Sequence, residues 1–299
     1  IRPKVEAKLH LRDGDMIAFL GGSEVAATRD SGHLESLLAL EFAPLRPRFR
    51  NFGWEGDTVY HRPREINFPD PLTLLKQAEV SVIVVEYGRA ESLDGAARVG
   101  EFAAAYGRWI RDLTAVTPRI VLVTPPPFES APAPLPDLAS RNKDLALYAS
   151  AIRTLAEDSG LPVIDLFGSL SRASNRDRLT VDGLQFSPAG HAFVAEEFIR
   201  LALGRGAAGT GGAHSSGVWN DLRREKVRQA VLAKNRLWFD YWRPQNWAFL
   251  GGDRTEQPSS RDHRDPKIRW FPEEMRRYLP LIERAEASIE TILREASSE

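Results

Sequence analysis

Five short runs of β-branched and apolar residues, at positions 16–20, 48–52, 80–86, 119–124 and 162–165, recur along the first two-thirds of the chain. Longer stretches with apolar residues at helical spacing separate them, at 33–42, 96–116, 142–159 and 188–203. Continuous apolar strands that alternate with amphipathic helices fit a parallel sheet buried on both faces, since a parallel strand can be reached only through a crossover, usually a helix. The pattern therefore predicts an α/β chain, a three-layer α/β/α sandwich around a five-stranded parallel sheet. In such a sheet ligands bind beyond the carboxyl ends of the strands, so the residues that follow each strand are the first candidates for chemistry.

Composition narrows the partners. The 299 residues carry 40 basic and 41 acidic side chains, a formal net charge of −1, so no global field draws in nucleic acid or an anionic membrane, and a small-molecule or neutral ligand is expected. Cysteine is absent, which removes disulfides, thiolate metal sites and thiol nucleophiles. The spacing of His and acidic residues matches neither a zinc nor a calcium site, so neither metal nor cofactor is expected. No apolar run reaches the roughly 18 residues that a membrane span requires, so no membrane insertion is expected. The chain opens on Ile1 with neither an initiator Met nor a signal-peptide pattern, which suggests a processed or trimmed chain.

After position 203 the composition changes. Residues 204–217 are rich in Gly, Ala and Ser, as a linker or mobile loop would be, and they separate a main domain at 1–203 from an extension at 218–299. Within the extension, 218–240 and 273–295 have helical spacing, and 237–252 (LWFDYWRPQNWAFLGG) concentrates three of the seven Trp residues. So aromatic a stretch is expected to pack back onto the main domain, with a dedicated binding face as the alternative.

Four post-strand segments stand out. The first strand runs into Gly21-Gly22-Ser23, where Ser23 is either a helix-capping or turn serine or a nucleophile at a helix N-terminus. The second runs into NFGWEGDT, where Gly53 and Gly56 are three apart and a glycine N–H can serve as an oxyanion donor. A charged turn, Gly88-Arg89-Ala90-Glu91, follows the third. The fourth segment, LTVDGLQFSPAGH, leads into a helix with Pro188 suited to its first turn.

In their order and placement these segments resemble the blocks of the SGNH (GDSL-like) hydrolases: G-D-S, a glycine turn, G-x-N, and D-x-x-H before a helix. The resemblance covers about positions 11–203 and implies the flavodoxin-like fold of that family and ester hydrolysis as its activity. Carried over by residue, it makes Ser23 the nucleophile, Gly53 an oxyanion donor and Asp182 the orienter of the base. Gly22 stands where the family has Asp, Ala90 where it has the oxyanion Asn, and Gln185 where it has the base His. The strings NFGWEGDT, TPPPFE and KNRLWFDYWRPQN further resemble a bacterial branch of large exported proteins, which implies a periplasmic or extracellular setting and, as one ligand class, carbohydrate O-acyl esters.

The replacements bear on mechanism. A serine hydroxyl is a poor nucleophile without a positioned base, and a glutamine amide cannot take its proton near neutral pH. An alanine methyl cannot donate to an oxyanion, a loss of about 3 kcal/mol by the usual mutational measure. His191, Glu86 and Glu91 are candidate substitutes for the base, while His33 and His61 are either rim residues or ordinary surface and capping histidines. Arg89, Glu91, Arg243 and Asn246 are candidate ligand-binding residues. Two main readings stand side by side: an ester hydrolase with impaired or altered catalysis, and a non-catalytic module that binds carbohydrate or another ligand. A nucleotide-binding domain is more distant, because Gly21-Gly22-Ser23 lacks the G-x-G-x-x-G spacing.

Overall fold

A computed structural model describes residues 8–173, 177–205 and 215–295. Five strands, β1 (Met16–Gly21), β2 (Arg48–Asn51), β3 (Val82–Glu86), β4 (Ile120–Thr124) and β5 (Val163–Asp165), form one parallel sheet in the order β2-β1-β3-β4-β5. The eleven helices found among the described residues are α1 (Ser23–Ser31), α2 (His33–Glu41), α3 (Pro71–Gln77), α4 (Val99–Thr114), α5 (Asn142–Asp158), α6 (Leu166–Arg172), α7 (Pro188–Ala202), α8 (Leu222–Trp242), α9 (Trp247–Leu250), α10 (Trp270–Arg276) and α11 (Tyr278–Glu295). The α/β/α sandwich read from the sequence is the observed fold.

Side-chain alternation divides the core into two layers. Ile17, Phe19, Val82, Val84, Val121 and Val123 face Leu38, Ala195 and Phe198 on α2 and α7. Ala18, Leu20, Ile83, Val85 and Leu122 face Phe102, Tyr106, Tyr148 and Ile152 on α4 and α5. The chain leaves β1 for β2 on one side and returns to β3 on the other, so the carboxyl ends of β1 and β3 border the crevice where such sheets bind ligands. Gly21 and Glu86 are partners at that point.

β2 is an edge strand, and the C-terminal helices satisfy its outward backbone. Lys234 Nζ on α8 donates to Phe49 O at 3.0 Å and Trp238 Nε1 donates to Asn51 O at 3.0 Å. Trp238 and Trp242 also set their edges against Phe52, at 5.3 and 5.2 Å between centroids. An edge with its carbonyls engaged is closed to pairing with another chain. The same contact buries four charges: Lys234 pairs with Glu35 at 2.6 Å, and Arg50 pairs with Glu286 of α11. Burial pushes the Glu35 carboxyl up and the Lys234 ammonium down, and each offsets part of the other's shift.

The linker expected at 204–217 falls mainly on residues 206–214, which lie outside the described residues. Just past them, Gly217 O lies 2.6 Å from Nε2 of His33, whose ring Trp219 meets edge-on.

Lys234 is 1% exposed, so its removal leaves the buried Glu35 carboxylate without its ion-pair partner. Lys234→Met is expected to lower the unfolding free energy by about 3–5 kcal/mol in urea titrations. The double variant Lys234→Met/Glu35→Leu is expected to regain most of that loss.

Candidate active site

Ser23 begins α1 directly after β1, with Gly22 at the N-cap. Its side chain is exposed, makes no capping bond and has no hydrogen-bond partner among the described residues. The first-turn N–H groups of a nine-residue helix surround it with positive potential.

Asn51, the last residue of β2, sets the second block. Its amide nitrogen donates to Val25 O at 2.8 Å and to Thr28 Oγ1 at 2.9 Å, and its Oδ1 accepts from Gly53 N at 2.8 Å. Gly53 is therefore pressed against α1: a Cβ there would lie 2.4 Å from Ala26 N, which is why the position takes no side chain. The N–H of Gly53, the oxyanion donor expected from the sequence, donates to Asn51 Oδ1 in this structure. Gly56, three residues on, borders the cleft instead, with the left-handed φ of +84° that glycine tolerates.

One cleft of about 480 Å³ gathers the turns. Ser23, Gly56, Ala90, Gln185 and His191 all line it, with Glu24, Glu86, Arg89 and Glu91. The four blocks thus converge at the carboxyl end of the sheet, the second of them through Gly56.

Arg89 holds this convergence together. Its side chain is 2% exposed. It pairs with Glu24 at 3.1 Å, donates to Leu184 O at 3.0 Å and to Pro127 O at 3.4 Å, and lies over the rings of Phe128 and Phe186. One guanidinium thereby ties α1, the turn after β3, the loop after β4 and the turn before α7. Its Nε is buried without a hydrogen-bond partner among the described residues.

The other candidates separate into engaged and open groups. Glu91 is buried, and its two carboxylate oxygens accept from Val59 N and Gly88 N, each at 2.8 Å. Burial nevertheless leaves its carboxyl above the usual range. Asp182 uses Oδ1 to accept from Leu184 N at 2.9 Å and Gln185 N at 2.6 Å, so it shapes the turn that presents Gln185. Burial pushes its carboxyl up, but those N–H groups and Arg89 hold it below the usual value. Glu129, from the TPPPFE run, fixes the same turn by accepting from Leu179 N, Thr180 N and Thr180 Oγ1. Burial lowers His191 to about 4, so its imidazole is neutral at physiological pH and a weak proton acceptor.

His33 is buried against Gly217 and His61 is exposed, and neither lines the cleft. Arg243 reaches the rim indirectly: it pairs with Glu55 at 2.5 Å and stacks on Trp54 at 3.7 Å. Asn246 lies outside the cleft, its carbonyl accepting from Phe249 N at the start of α9. No group of three or more His, Asp or Glu placed to hold a metal ion is found among the described residues, nor does any helix there have the length and apolarity to cross a membrane.

Glu24 is a cleft residue that the sequence reading did not single out. Its signal was its place next to Ser23 in the first turn, but its partner Arg89 is 65 residues away.

Comparison with known proteins agrees with this fold. The profile of the GDSL-like lipase/acylhydrolase family matches residues 14–193. A search of curated proteins finds no match. Among solved structures, a gut microbial diltiazem-metabolizing enzyme is similar at 18% identity with a TM-score of 0.54, over 66% of this chain and 49% of that one, so the chain spans about half that enzyme's length. A putative GDSL-like lipase from Parabacteroides merdae is similar at 18% identity, TM-score 0.51, over 65% and 98% of the two chains. A catalytic mutant of an acetylxylan esterase from Geobacillus stearothermophilus is similar at 16% identity, TM-score 0.50, over 65% and 96%. At these identities the likeness is one of fold.

Arg89→Ala is expected to cost about 2–4 kcal/mol of unfolding free energy, since it leaves Leu184 O and the Glu24 carboxylate without their donor. Arg89→Lys is expected to recover less than half, because an ammonium cannot reach the same set of acceptors at once. Urea unfolding of the two variants beside the wild type measures both.

Proposed function

The chain belongs to the GDSL-like lipase/acylhydrolase family, and from that premise we propose that its cleft binds an O-acylated carbohydrate and hydrolyses the ester slowly, with Ser23 as nucleophile. The observation that carries this reading is the position of Ser23: an exposed hydroxyl without a protein partner, at the N-terminus of α1, in the cleft where all four turns meet. The carbohydrate ligand is suggested by the acetylxylan esterase whose fold is similar. Ser23, Gln185 and several carboxyl groups among the cleft residues can hydrogen-bond a hydroxylated acyl carrier.

In this proposal Ser23 Oγ attacks the acyl carbon, and the backbone N–H groups of Ser23 and Gly56 face the developing oxyanion. Ala90 contributes no donor there, and Gln185 no base, so turnover is slow. Asp182 acts through the turn it caps and not as a partner of an imidazole. Arg243 and Glu55 form a charged rim at which the C-terminal extension meets the cleft.

A second reading draws on Ala90 and Gln185 themselves: a cleft that has lost both a donor and a base suits a module that holds a carbohydrate ester without cleaving it.

The two are distinguished by hydrolysis of p-nitrophenyl acetate and of acetylated xylo-oligosaccharides. Slow release of acetate, lost in Ser23→Ala and raised at least 100-fold in Ala90→Asn/Gln185→His, supports the hydrolase. Retention of the acyl group by the wild type, with measurable affinity for the acetylated oligosaccharide, supports the binding module. Activity unchanged by Ser23→Ala rules out the serine mechanism.

A further inference from the structure

The cleft has an acidic lining, and the engagement of its carboxyl groups is uneven. Glu24 is held by Arg89, Asp30 by Arg29, Glu55 by Arg243, Asp57 by a two-pronged bond from Arg64, and Glu91 by two backbone N–H groups. Glu86 alone among these acidic groups has neither a hydrogen bond nor an ion pair with the described residues. It is the last residue of β3, paired in register with Gly21, the residue two before Ser23. It sits where the cleft meets a second, smaller cavity of about 50 Å³, lined by Phe19, Val25, Val84, Phe186 and Val194 among others. Glu24, Glu86, Phe186 and His191 border both spaces.

We infer that Glu86 is the proton acceptor for Ser23, in place of the imidazole that Gln185 has displaced. The inference rests on the ester-hydrolase reading given above. As Ser23 Oγ bonds to the acyl carbon, its proton passes to the Glu86 carboxylate. Collapse of the tetrahedral intermediate breaks the bond to the alcohol oxygen, which takes that proton from Glu86. In deacylation Glu86 accepts a proton from water as the hydroxide forms its bond to the acyl carbon, and returns it to Ser23 Oγ as the acid leaves. Atoms and charge balance with water as the only other reactant.

The surroundings set the pH at which this base works. The apolar walls desolvate Glu86, and Glu24 on α1 repels its ionised form, while Arg89 from the turn after β3 partly opposes both, with the result near 8. The other titratable groups around the cleft are Asp30 on α1, Glu55 and Asp57 after β2, Tyr87 and Glu91 after β3, and His191 on α7, which is neutral here. A carboxyl that ionises near 8 is mostly protonated at neutral pH, so the reaction is slow there and quickens in alkali.

The test is Glu86→Gln, which keeps the size of the side chain and removes its basicity. Wild-type kcat/KM on p-nitrophenyl acetate is expected to rise about tenfold per pH unit and to level off above about 8. The variant is expected to fall at least 100-fold below that plateau and to lose the rise. Urea unfolding supplies a readout apart from turnover. The raised carboxyl holds its proton in the folded state while the unfolded chain has lost it, so wild type should match the variant near pH 4 and become less stable than it by pH 9. A variant with the rate and pH profile of the wild type, in an enzyme that is active, overturns the role of Glu86 alone. A wild type that hydrolyses no ester at any pH overturns the hydrolase reading and this inference with it.

Discussion

Burial of the Arg89 guanidinium is the constraint on which the site depends. A charge removed from water must be met by acceptors, and those that meet it come from three different segments: Glu24 on α1, Pro127 O and the face of Phe128 after β4, and Leu184 O and the face of Phe186 before α7. None of these segments is next to another in the chain, so the bond network is also a distance constraint among loops that the sheet brings near but does not lock. A parallel sheet places its carboxyl-end loops in one neighbourhood; the guanidinium places them within a few ångströms of one another.

A similar economy governs the far side of the molecule. β2 would leave its outward carbonyls to water, and α8 covers them with side chains instead, Lys234 and Trp238 each donating to one. Covering an edge with a helix is a general solution to the edge problem, but here the covering face is charged as well as aromatic. The buried quartet of Lys234, Glu35, Arg50 and Glu286 adds less net stability than an apolar contact of equal size would, since desolvation offsets much of the attraction. What it does add is selectivity of register, because a helix shifted by one turn would bury charges without partners.

The strands were legible to within two residues because burial on both faces writes an unbroken apolar run, which polar helices and turns then interrupt. Helix α1 was not, for a physical reason: SEVAATRDS buries only Val25 and Ala26, too little to print a stripe, and it is held in place by Asn51 reaching its backbone from β2. The same long-range bond decides between Gly53 and Gly56, which look alike in the string. The serine, the substituted Ala90 and Gln185, and their convergence could all be anticipated from order along the chain. Arg89 could not be placed, since an arginine in a polar turn looks the same whether it is solvated or enclosed. The open state of Glu86 is likewise invisible in sequence, because it is defined by what every neighbouring cation and N–H has already been assigned to.

Those assignments give the pattern of replacements a physical sense. An imidazole at position 185 would meet, at the mouth of the cleft, a serine whose other neighbours are carboxyl groups held by arginines and backbone N–H groups. With a glutamine there, the proton-transfer task passes to whatever titratable group is both near the serine and unengaged, and desolvation then fixes how far from neutrality that group works. The apolar cavity behind Glu86 therefore matters as much as the carboxyl itself: walls of Phe19, Val84 and Val194 supply no hydrogen bond that would pull its ionisation back toward the ordinary range. A base made in this way is strong when ionised and seldom ionised, the opposite compromise from a neutral imidazole. It ties the chemistry of the cleft to the packing of α1 and α7 against the sheet.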